Sequence, residues 1–378
     1  MNISQLLSGH ARFRGDRTAV VFEDERISFR EFNARVNRAA NALAALGIRR
    51  GDKVATILPN SFELLETYHA CAKLGAVIVP LSSFVRGRGL ATLIRDSDTS
   101  LVITNAEFVP ELDQVRGEIP NVADGHYLLI DAPGAGAYRS YHALVDVARA
   151  EEPPRVDIAD DDPFNIIYSS GTTGLPKGIV ISHHVRALYG ELFGSAWRMT
   201  PESVVMHAGS VIFNGAFLTL MPAWVYGCKF VTLHHFQAAR VIELIERERV
   251  THMYMVPSQI VALMNSPAFD AKRLGSLEML GSVGAPFLKE HREELNRRLP
   301  GVFTELYGLT EGFMTILDKT QYATKPMSVG IPMAFSEMRI VDPSGADCPP
   351  NVVGEIVGRS PLLMAGYYKR PDLTAQAV

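Results

Sequence analysis

The chain has 378 residues, of which 47% are apolar and 21% are charged, so it can bury a sizeable core and does not have the composition of a disordered segment. Its formal net charge of −4 leaves no basic excess to attract nucleic acid or an anionic membrane surface, and we expect neither as a partner. The three cysteines lack metal-ligand or disulfide-framework spacing, and the N-terminus lacks the apolar stretch of a signal peptide, which together favour a cytoplasmic protein.

The first predicted elements are a capped helix and a β-α-β unit. Ser28 and Glu31 have the S-x-x-E spacing of a capping box, and apolar residues then recur every three or four positions up to Gly47, which ends the helix. The next elements are a short buried strand, a helix that ends at Gly75 and a second strand, at 53–58, 62–74 and 76–80. The intervening helix predicts that the two strands are parallel.

The same pattern continues along the chain. A helix is predicted at 238–248, and seven more strands at 102–104, 127–130, 165–168, 204–207, 229–233, 252–256 and 277–283. The most apolar window, 215–228, is too short for a transmembrane helix and contains Pro222, so no integral membrane association is expected. After Gly308 the pattern changes to short β-like runs. We therefore predict an α/β fold with one α/β subdomain at about 1–155, a second with the phosphate loop at 160–308, and a β-rich subdomain at 309–378.

The segment 168–178, YSSGTTGLPKG, has the composition of a polyphosphate-binding loop. Its glycines allow close backbone approach, its hydroxyls can donate to phosphate oxygens, and its lysine supplies a positive charge. Pro176 excludes the P-loop pattern, and a plain Gly/Ser/Thr surface turn is the alternative. The candidate nucleotide-binding residues are Ser169, Ser170, Gly171, Thr172, Thr173, Gly174 and Lys177.

This segment resembles, residue for residue, the signature loop of the adenylate-forming superfamily of acyl-CoA synthetases, luciferases and adenylation domains. Four further segments resemble family motifs in family order, namely GSVGAP at 281–286, YGLTE at 307–311, GEIVGRSP at 354–361 and GYYKRP at 366–371. The resemblance covers essentially the whole chain. It implies the large N-terminal AMP-binding domain of such an enzyme, whose β-rich subdomain is a distorted barrel.

The family pattern continues beyond this sequence into a ribose-binding segment, a hinge and a small C-terminal domain with a catalytic lysine. We expect this chain to be the large domain without that C-terminal domain. We therefore expect the isolated chain to bind an acyl-adenylate better than it makes one, and to be strongly impaired as an enzyme.

The resemblance also implies a set of residue roles. Gly284, Ala285 and Pro286 would line the adenine, while Tyr307, followed by Gly308, would pack on its ring. Lys177, Thr310 and Glu311 would be catalytic, with Thr310 on phosphate and Glu311 on Mg²⁺, a cation that prefers oxygen ligands. The implied reaction uses ATP to form an acyl-adenylate and pyrophosphate, after which CoA as co-substrate displaces AMP.

The acid pocket is the less defined part of the site. Phe213 and Asn214 stand where many family members have an aromatic-His pair, and Asn in this place hints at a hydrophobic, aromatic or hydroxylated carboxylic acid. Val283, Phe313 and Met314 are further candidate walls, with ordinary core packing as the alternative. The adjacent pairs His183-His184 and His234-His235 are not expected to bind metal, because neighbouring side chains diverge.

Two other functions fit the same residues. One is a carrier-protein-dependent aryl-acid adenylation domain, and the other is a module that binds an acid or adenylate without activating it. The expected partners are a small carboxylic acid, ATP or AMP, and CoA, and a homodimer is compatible with the sequence.

Overall fold

The computed structural model describes residues 1–169 and 176–377. The helices, in chain order, are α1 (Leu6–Arg14), α2 (Phe29–Ala45), α3 (Phe62–Leu74), α4 (Gly87–Asp96), α5 (Val109–Val115), α6 (Tyr141–Asp146), α7 (His183–Ala196), α8 (Asn214–Tyr226), α9 (Ala238–Glu248), α10 (Pro257–Met264), α11 (Lys289–Arg298), α12 (Lys319–Tyr322) and α13 (Pro371–Ala377). The strands are β1 (Thr18–Phe22), β2 (Glu25–Ser28), β3 (Lys53–Ile57), β4 (Val77–Pro80), β5 (Thr99–Thr104), β6 (Tyr127–Leu129), β7 (Tyr138–Ser140), β8 (Pro163–Ser169), β9 (Lys177–Ser182), β10 (Val204–His207), β11 (Lys229–Thr232), β12 (His252–Met255), β13 (Met279–Val283), β14 (Phe303–Gly308), β15 (Met314–Leu317), β16 (Ile331–Pro332), β17 (Glu337–Val341), β18 (Glu355–Arg359) and β19 (Gly366–Tyr367).

These strands form two large sheets and one small one. The first sheet has the order β19-β9-β8-β4-β3-β5-β6-β7, and the second sheet has the order β16-β15-β14-β13-β12-β10-β11-β1-β2. Most neighbours in both sheets are parallel, with antiparallel pairs at β19-β9 and β8-β9 in the first sheet and at the edges of the second sheet. β17 and β18 form a separate antiparallel pair, the small sheet. The α/β fold with a small β-rich part is confirmed.

Local signals in the sequence correspond closely to the observed elements. The Ser28 hydroxyl accepts from the Glu31 backbone N–H, and the Glu31 carboxylate accepts from the Ser28 backbone N–H, which is the predicted capping box of α2. α3 ends at Gly75, whose φ of 67° is the left-handed conformation that glycine adopts readily. The predicted β-α-β unit is present, because β3 and β4 pair in parallel.

Each of the two large sheets contains strands from both sides of residues 155 and 308, the expected subdomain boundaries. β1 and β2 join the second sheet through the parallel pair β1-β11, whereas β8 and β9, with the phosphate loop between them, join the first sheet through β4. β15 and β16 extend the second sheet beyond residue 308, and β19 returns to the first sheet. The pairing of a strand depends on distant partners, which the local hydrophobic pattern does not reveal.

One continuous core connects the two large sheets. It includes Val20 of β1, Val54 of β3, Phe164 of β8 and Val205 of β10, and the helices α2, α3, α7 and α8 contribute to it. α7 therefore lies in the interior, where its side chains are largely buried. Across residues 1–169 and 176–377, none of the helices combines the length and apolarity needed to cross a bilayer.

Candidate active site

The two strands that flank the predicted phosphate loop form an antiparallel pair. β8 ends at Ser169 and β9 begins at Lys177, and these residues lie opposite each other in the ladder. A Cβ on Gly178 would lie 2.9 Å from Ile166 Cγ2 and 3.2 Å from the Tyr168 ring, so glycine is favoured there. The ladder therefore fixes the backbone of Lys177 next to the loop.

The other predicted phosphate donors, Ser170, Gly171, Thr172, Thr173 and Gly174, lie outside the described residues.

A crossing segment, residues 362–368, connects the strand that carries Lys177 to the turn that carries Glu311. The Met364 N–H donates to the Glu311 carbonyl at 2.8 Å, and the Tyr368 N–H donates to the Gly178 carbonyl at 2.7 Å. β19 lies within this segment and pairs with β9. Two motifs that are far apart in sequence are thereby held together by backbone hydrogen bonds.

Tyr367 of the crossing segment contacts both charged residues. Its hydroxyl donates to Glu311 Oε1 at 2.8 Å, and Lys177 Nζ lies 5.0 Å from the centre of its ring. Burial and the neighbouring Glu311 carboxylate raise the pKa of Tyr367 to about 12, so the phenol is protonated and remains a donor at neutral pH. The neutral side chain of Tyr367 thus lies between Lys177, the predicted phosphate ligand, and Glu311, the predicted Mg²⁺ ligand.

The turn between β14 and β15 presents Thr310 and Glu311, both half-buried. Gly312 has a φ of 123°, and a Cβ there would lie 2.3 Å from the Leu362 carbonyl oxygen. A larger residue would push the crossing segment away. The turn is therefore tightly fitted against that segment, which limits the positions that the Glu311 backbone can occupy.

The predicted adenine wall and Tyr307 lie at one edge of the second sheet. β13 and β14 are parallel neighbours in which Val283 lies opposite Leu306, so Gly284 and Tyr307 each follow at the carboxyl end of the ladder. Ligands bind at such edges in open α/β sheets. Gly284, Ala285 and Pro286 are exposed, as is Gly308, and the Tyr307 side chain is 38% exposed. An aromatic ring and a flat backbone segment are available to an adenine here.

A cavity of about 230 Å³ lies next to the ends of β8 and β9. Its lining includes Ser169 and Pro176 together with Phe213, a candidate residue of the acid pocket. Phe213 is 49% exposed and directly precedes α8, whose first residue is the half-buried Asn214. The remaining candidate walls differ in burial, since Val283 and Phe313 are half-buried and Met314 is packed in the main core.

Asn214 belongs to a buried polar network. Its Oδ1 accepts from Arg186 Nη1 at 2.9 Å, and its Nδ2 donates to the Tyr189 hydroxyl at 3.3 Å. Arg186 also donates from Nε to Asn165 Oδ1 at 3.2 Å. Both Arg186 and Tyr189 are on α7, so this helix anchors the residue that begins α8.

Comparison with known proteins identifies the family. The sequence model described as "AMP-binding enzyme" matches residues 7–368. This chain belongs to the AMP-binding enzyme family. The chain is 31% identical over 377 residues to a feruloyl-CoA synthase of an Amycolatopsis species, covering 97% of this chain and 72% of that one. It is 30% identical over 382 residues to the indoleacetate–CoA ligase of Aromatoleum aromaticum, covering 100% and 73%.

Solved structures agree with this family. The N-terminal domain of FACL13 from Mycobacterium tuberculosis, solved with an inhibitor, has a TM-score of 0.87 at 27% identity and covers 100% of this chain and 93% of that one. ATP-bound MatB from Rhodopseudomonas palustris has a TM-score of 0.86 at 26% identity, with 100% and 74% covered. The expected adenylate-forming fold is confirmed.

The side chains of this AMP-binding enzyme fit a magnesium ion that is shared with a nucleotide. No group of three His, Cys, Asp or Glu side chains suited to a metal ion occurs in the described part of the chain. Mg²⁺ is commonly held by one or two carboxylates together with substrate phosphates and water, and Glu311 offers one carboxylate that bonds to Tyr367, whose ring lies beside Lys177. Glu311 would hold the ion only together with the phosphates.

Arg186, Tyr189 and Tyr367 were not identified from the sequence as site residues. One signal for Arg186 was present, because it falls on the same helical face as Tyr189 and Phe193, three and seven positions later, which are both buried. A charged residue on such a face is rarely buried without a function or a partner. Tyr367 lies within a recognised motif, but its bond to Glu311 depends on the tertiary pairing of β19 with β9.

Proposed function

We propose that the chain activates an aromatic or otherwise hydrophobic carboxylic acid, with Lys177, Thr310 and Glu311 at the phosphates, Tyr307 and 284–286 at the adenine, and Asn214 at the acid. The reaction class follows from the family and its relatives: the enzyme is an AMP-forming acid:CoA ligase that uses ATP and CoA. Assigning the individual residues to these substrates is the part that is proposed.

The observation that carries this proposal is the contact of Tyr367 with both Lys177 and Glu311. A cation and a carboxylate from distant motifs both contact Tyr367, and a cavity lined by Ser169 and Phe213 lies beside the strand that precedes Lys177. A polyphosphate needs the cation, its Mg²⁺ needs the carboxylate, and an acid in the cavity would approach the phosphate loop from the side of Phe213.

In the first half-reaction a carboxylate oxygen of the acid attacks the α-phosphorus of ATP. The bond to pyrophosphate breaks, and the electron pair leaves with pyrophosphate. No protein nucleophile is required, so the role of the chain is to align the two substrates and to balance negative charge. Lys177 would contribute positive charge at the phosphate oxygens, and Mg²⁺ held by Glu311 would neutralise further charge there.

In the second half-reaction the thiolate of CoA attacks the carbonyl carbon of the acyl-adenylate. The carbon-oxygen bond to AMP breaks, which yields the thioester and free AMP. Tyr307 and the 284–286 segment would hold the adenylate during both halves, because one bound nucleotide links them.

The aromatic character of the acid is inferred from Phe213 and from the relatives. Phe213 offers an exposed ring beside the cavity, and aromatic rings pack favourably against one another. The relatives include a feruloyl-CoA synthase, an indoleacetate–CoA ligase and a rice 4-coumarate–CoA ligase at 29% identity, all named for aromatic acids.

A carrier protein is a second candidate acceptor. A fatty acid–[acyl-carrier-protein] ligase of Streptomyces coeruleorubidus is 27% identical over 385 residues. The two acceptors are distinguished by offering CoA and a phosphopantetheinylated carrier protein in parallel and measuring which one is acylated. A chain that transfers to neither, while still binding acids, would match the third option, a non-activating binding module.

The decisive test of the site is Lys177→Ala, assayed with ATP, Mg²⁺, CoA and a panel of aromatic acids. We expect a loss of adenylate formation on the order of 10²-fold, which is typical when a group that stabilises developing charge is removed. Lys289→Ala is the matched control, because Lys289 is exposed on α11 and its ion pair is with Glu293 of the same helix. An adenylation rate within twofold of wild type for Lys177→Ala would remove Lys177 from the site.

The three-part division, the cytoplasmic location and the homodimer stay predictions. Light scattering coupled to size-exclusion chromatography tests the homodimer directly, with twice the 41.5 kDa chain mass as the expected result.

A further inference from the structure

The Arg186 guanidinium is an enclosed positive charge that forms no ion pair with a carboxylate in the described part of the chain. Its side chain is fully buried. Among the residues that the structure describes, its hydrogen-bond acceptors are the amide oxygens of Asn165 and Asn214, and its Nη2 is buried with none. Burial lowers the pKa of Arg186 to about 10, so it remains a cation at neutral pH.

Aromatic rings stabilise this charge only in part. The Arg186 Cζ lies 3.9 Å from the centre of the Phe217 ring and 4.9 Å from the centre of the Tyr189 ring. Such contacts are favourable, but they do not neutralise the charge, and a buried cation normally has an anionic partner. The Arg186 charge beside Asn214 is therefore not balanced by an ion pair among the described residues. Burial raises the pKa of the neighbouring Tyr189 phenol, and the Glu311 carboxylate is the anion that adds to this effect.

Arg186 also fixes the orientation of the Asn214 amide. A guanidinium has five N–H donors and no acceptor, so only the oxygen of the amide can face it. The Asn214 Nδ2 must then face the other way, towards Tyr189. One of its two N–H groups points to the Tyr189 hydroxyl at 3.3 Å, and the other has no acceptor within residues 1–169 and 176–377, so it is available to a ligand.

The start of α8 at Asn214 carries partial positive charge and has open space at the next residue, Gly215. Asn214 is the first residue of α8, a helix of 13 residues whose preceding residue, Phe213, provides no side-chain cap. The uncapped amide groups at this end carry partial positive charge. A Cβ added to Gly215 would meet no atom within 4 Å, so there is room for a ligand group.

We propose that Arg186 is a positioning residue that determines acid specificity: it locks the Asn214 amide with its Nδ2 towards the ligand and adds the positive charge that favours an anionic or strongly accepting oxygen. This inference rests on the proposed function, because it takes Asn214 to border the acid. The ligand chemistry is an oxygen acceptor on the acid, supplied either by the carboxylate or by a hydroxyl substituent on its ring.

The proposal is tested by titration calorimetry of two acids, cinnamate and 4-hydroxycinnamate, into the 378-residue chain saturated with AMP. We expect Arg186→Met to weaken acid binding about tenfold, which is the usual size for a hydrogen bond that involves a charged group, while the affinity for AMP stays within twofold. An equal loss for both acids identifies the carboxylate as the acceptor, and a loss for 4-hydroxycinnamate alone identifies the ring hydroxyl.

Three further variants complete the experiment. Arg186→Lys keeps the charge but not the guanidinium group, and we expect its acid affinity to lie between those of wild type and Arg186→Met. This variant replaces Arg186→Met should the latter not fold. Arg273→Met is the control, because Arg273 pairs with Glu246 on α9, away from the pocket. Asn214→Ala tests the proposed function separately.

The outcomes separate the two claims. Acid affinities within twofold of wild type for folded Arg186 variants, together with a loss for Asn214→Ala, would overturn the role of Arg186 and leave the pocket in place. Unchanged affinities for all of these variants would remove Asn214 from the acid pocket as well.

Discussion

Two buried arginines of this enzyme differ in how their charge is balanced. Arg292 on α11 donates to three backbone carbonyls at 2.8 to 3.2 Å and forms an ion pair with the buried carboxylate of Glu305 on β14. Arg186 on α7 is as deeply buried but donates to two neutral amide oxygens. The charge of Arg292 is balanced by a carboxylate, whereas the charge of Arg186 faces neutral acceptors.

The difference distinguishes the structural role of Arg292 from the role that we propose for Arg186. The Arg292–Glu305 pair joins a helix to a strand of the second sheet and leaves little charge for a ligand. The Arg186 site retains its charge and lies next to Asn214, at the edge of the predicted acid pocket. Buried groups that are not internally satisfied are more often found at binding sites, where a ligand completes them.

The largest expected effect compares the two arginines directly. Arg292→Met leaves Glu305 buried without its partner, so the free energy of unfolding should fall by about 3–5 kcal/mol. Arg186→Met leaves no carboxylate unpaired, and we expect a loss below about 2 kcal/mol. Urea denaturation of both variants measures the two losses. Equal destabilisation would mean that the Arg186 charge contributes to stability as the Arg292 charge does.

Glu311 extends the comparison to a carboxylate. Within the described ranges, the side chain that hydrogen-bonds to Glu311 is the neutral phenol of Tyr367, so no ion pair balances this carboxylate there. Glu311→Gln should lower acid-dependent release of pyrophosphate by roughly 10²-fold, because it removes charge where phosphate charge develops. Glu293→Gln on the exposed face of α11 is the control. A Glu311→Gln rate close to that of the control would contradict the Mg²⁺ assignment.

A buried histidine near Arg186 should also make the stability of the protein depend on pH. His183 lies one turn before Arg186 on α7, and burial lowers its pKa to about 4, as it does for His207. The unfolded chain, with histidine near 6.5, binds more protons between pH 6.5 and 4, so stability falls as the pH falls through this window.

We expect each of these histidines to lower the free energy of unfolding by about 1.4 kcal/mol for every pH unit within this window. The free energy of unfolding falls between pH 7 and pH 5, and His183→Leu should make this fall smaller by roughly 1.5–2 kcal/mol. The measurement is the urea midpoint as a function of pH. A slope identical to that of the wild type would show that His183 titrates normally in the folded state.

Tyr367→Phe is expected to have the smallest effect. The substitution removes the hydrogen bond to Glu311 but keeps the ring beside Lys177, so Glu311 loses orientation and not charge. Affinity for MgATP should fall about fivefold, on the order of 1 kcal/mol. Tyr368→Phe is the matched control, because the Tyr368 hydroxyl donates to Asp98 on the outside of the first sheet. Equal effects of the two substitutions would mean that Tyr367 does not position Glu311.

The sequence predicted the elements with strong local signals. The capping box at Ser28 and the helices α3 and α9 have the predicted bounds, because caps, glycine stops and apolar periodicity act within a few residues. Sheet membership was not predictable in this way, because β1 and β11 pair across most of the chain. The motifs supplied Lys177 and Glu311 by resemblance.

The contacts between motifs could not be read from sequence. The hydrogen bond from Tyr367 to Glu311 exists because β19 pairs with β9, and the bond from Arg186 to Asn214 exists because α7 packs on α8. Both depend on tertiary packing. For the same reason, the burial that distinguishes Arg186 from an ordinary surface arginine has no local signature beyond its place on an apolar helical face.

The most direct test of the account is the affinity of Asn214→Asp for cinnamate, measured beside its free energy of unfolding. Aspartate would neutralise Arg186 and remove the N–H donor with little change in volume. The account predicts that the variant is more stable than wild type and binds cinnamate at least tenfold more weakly, since the charge is now satisfied within the protein. A variant that binds cinnamate as tightly as wild type, with unchanged stability, would contradict it.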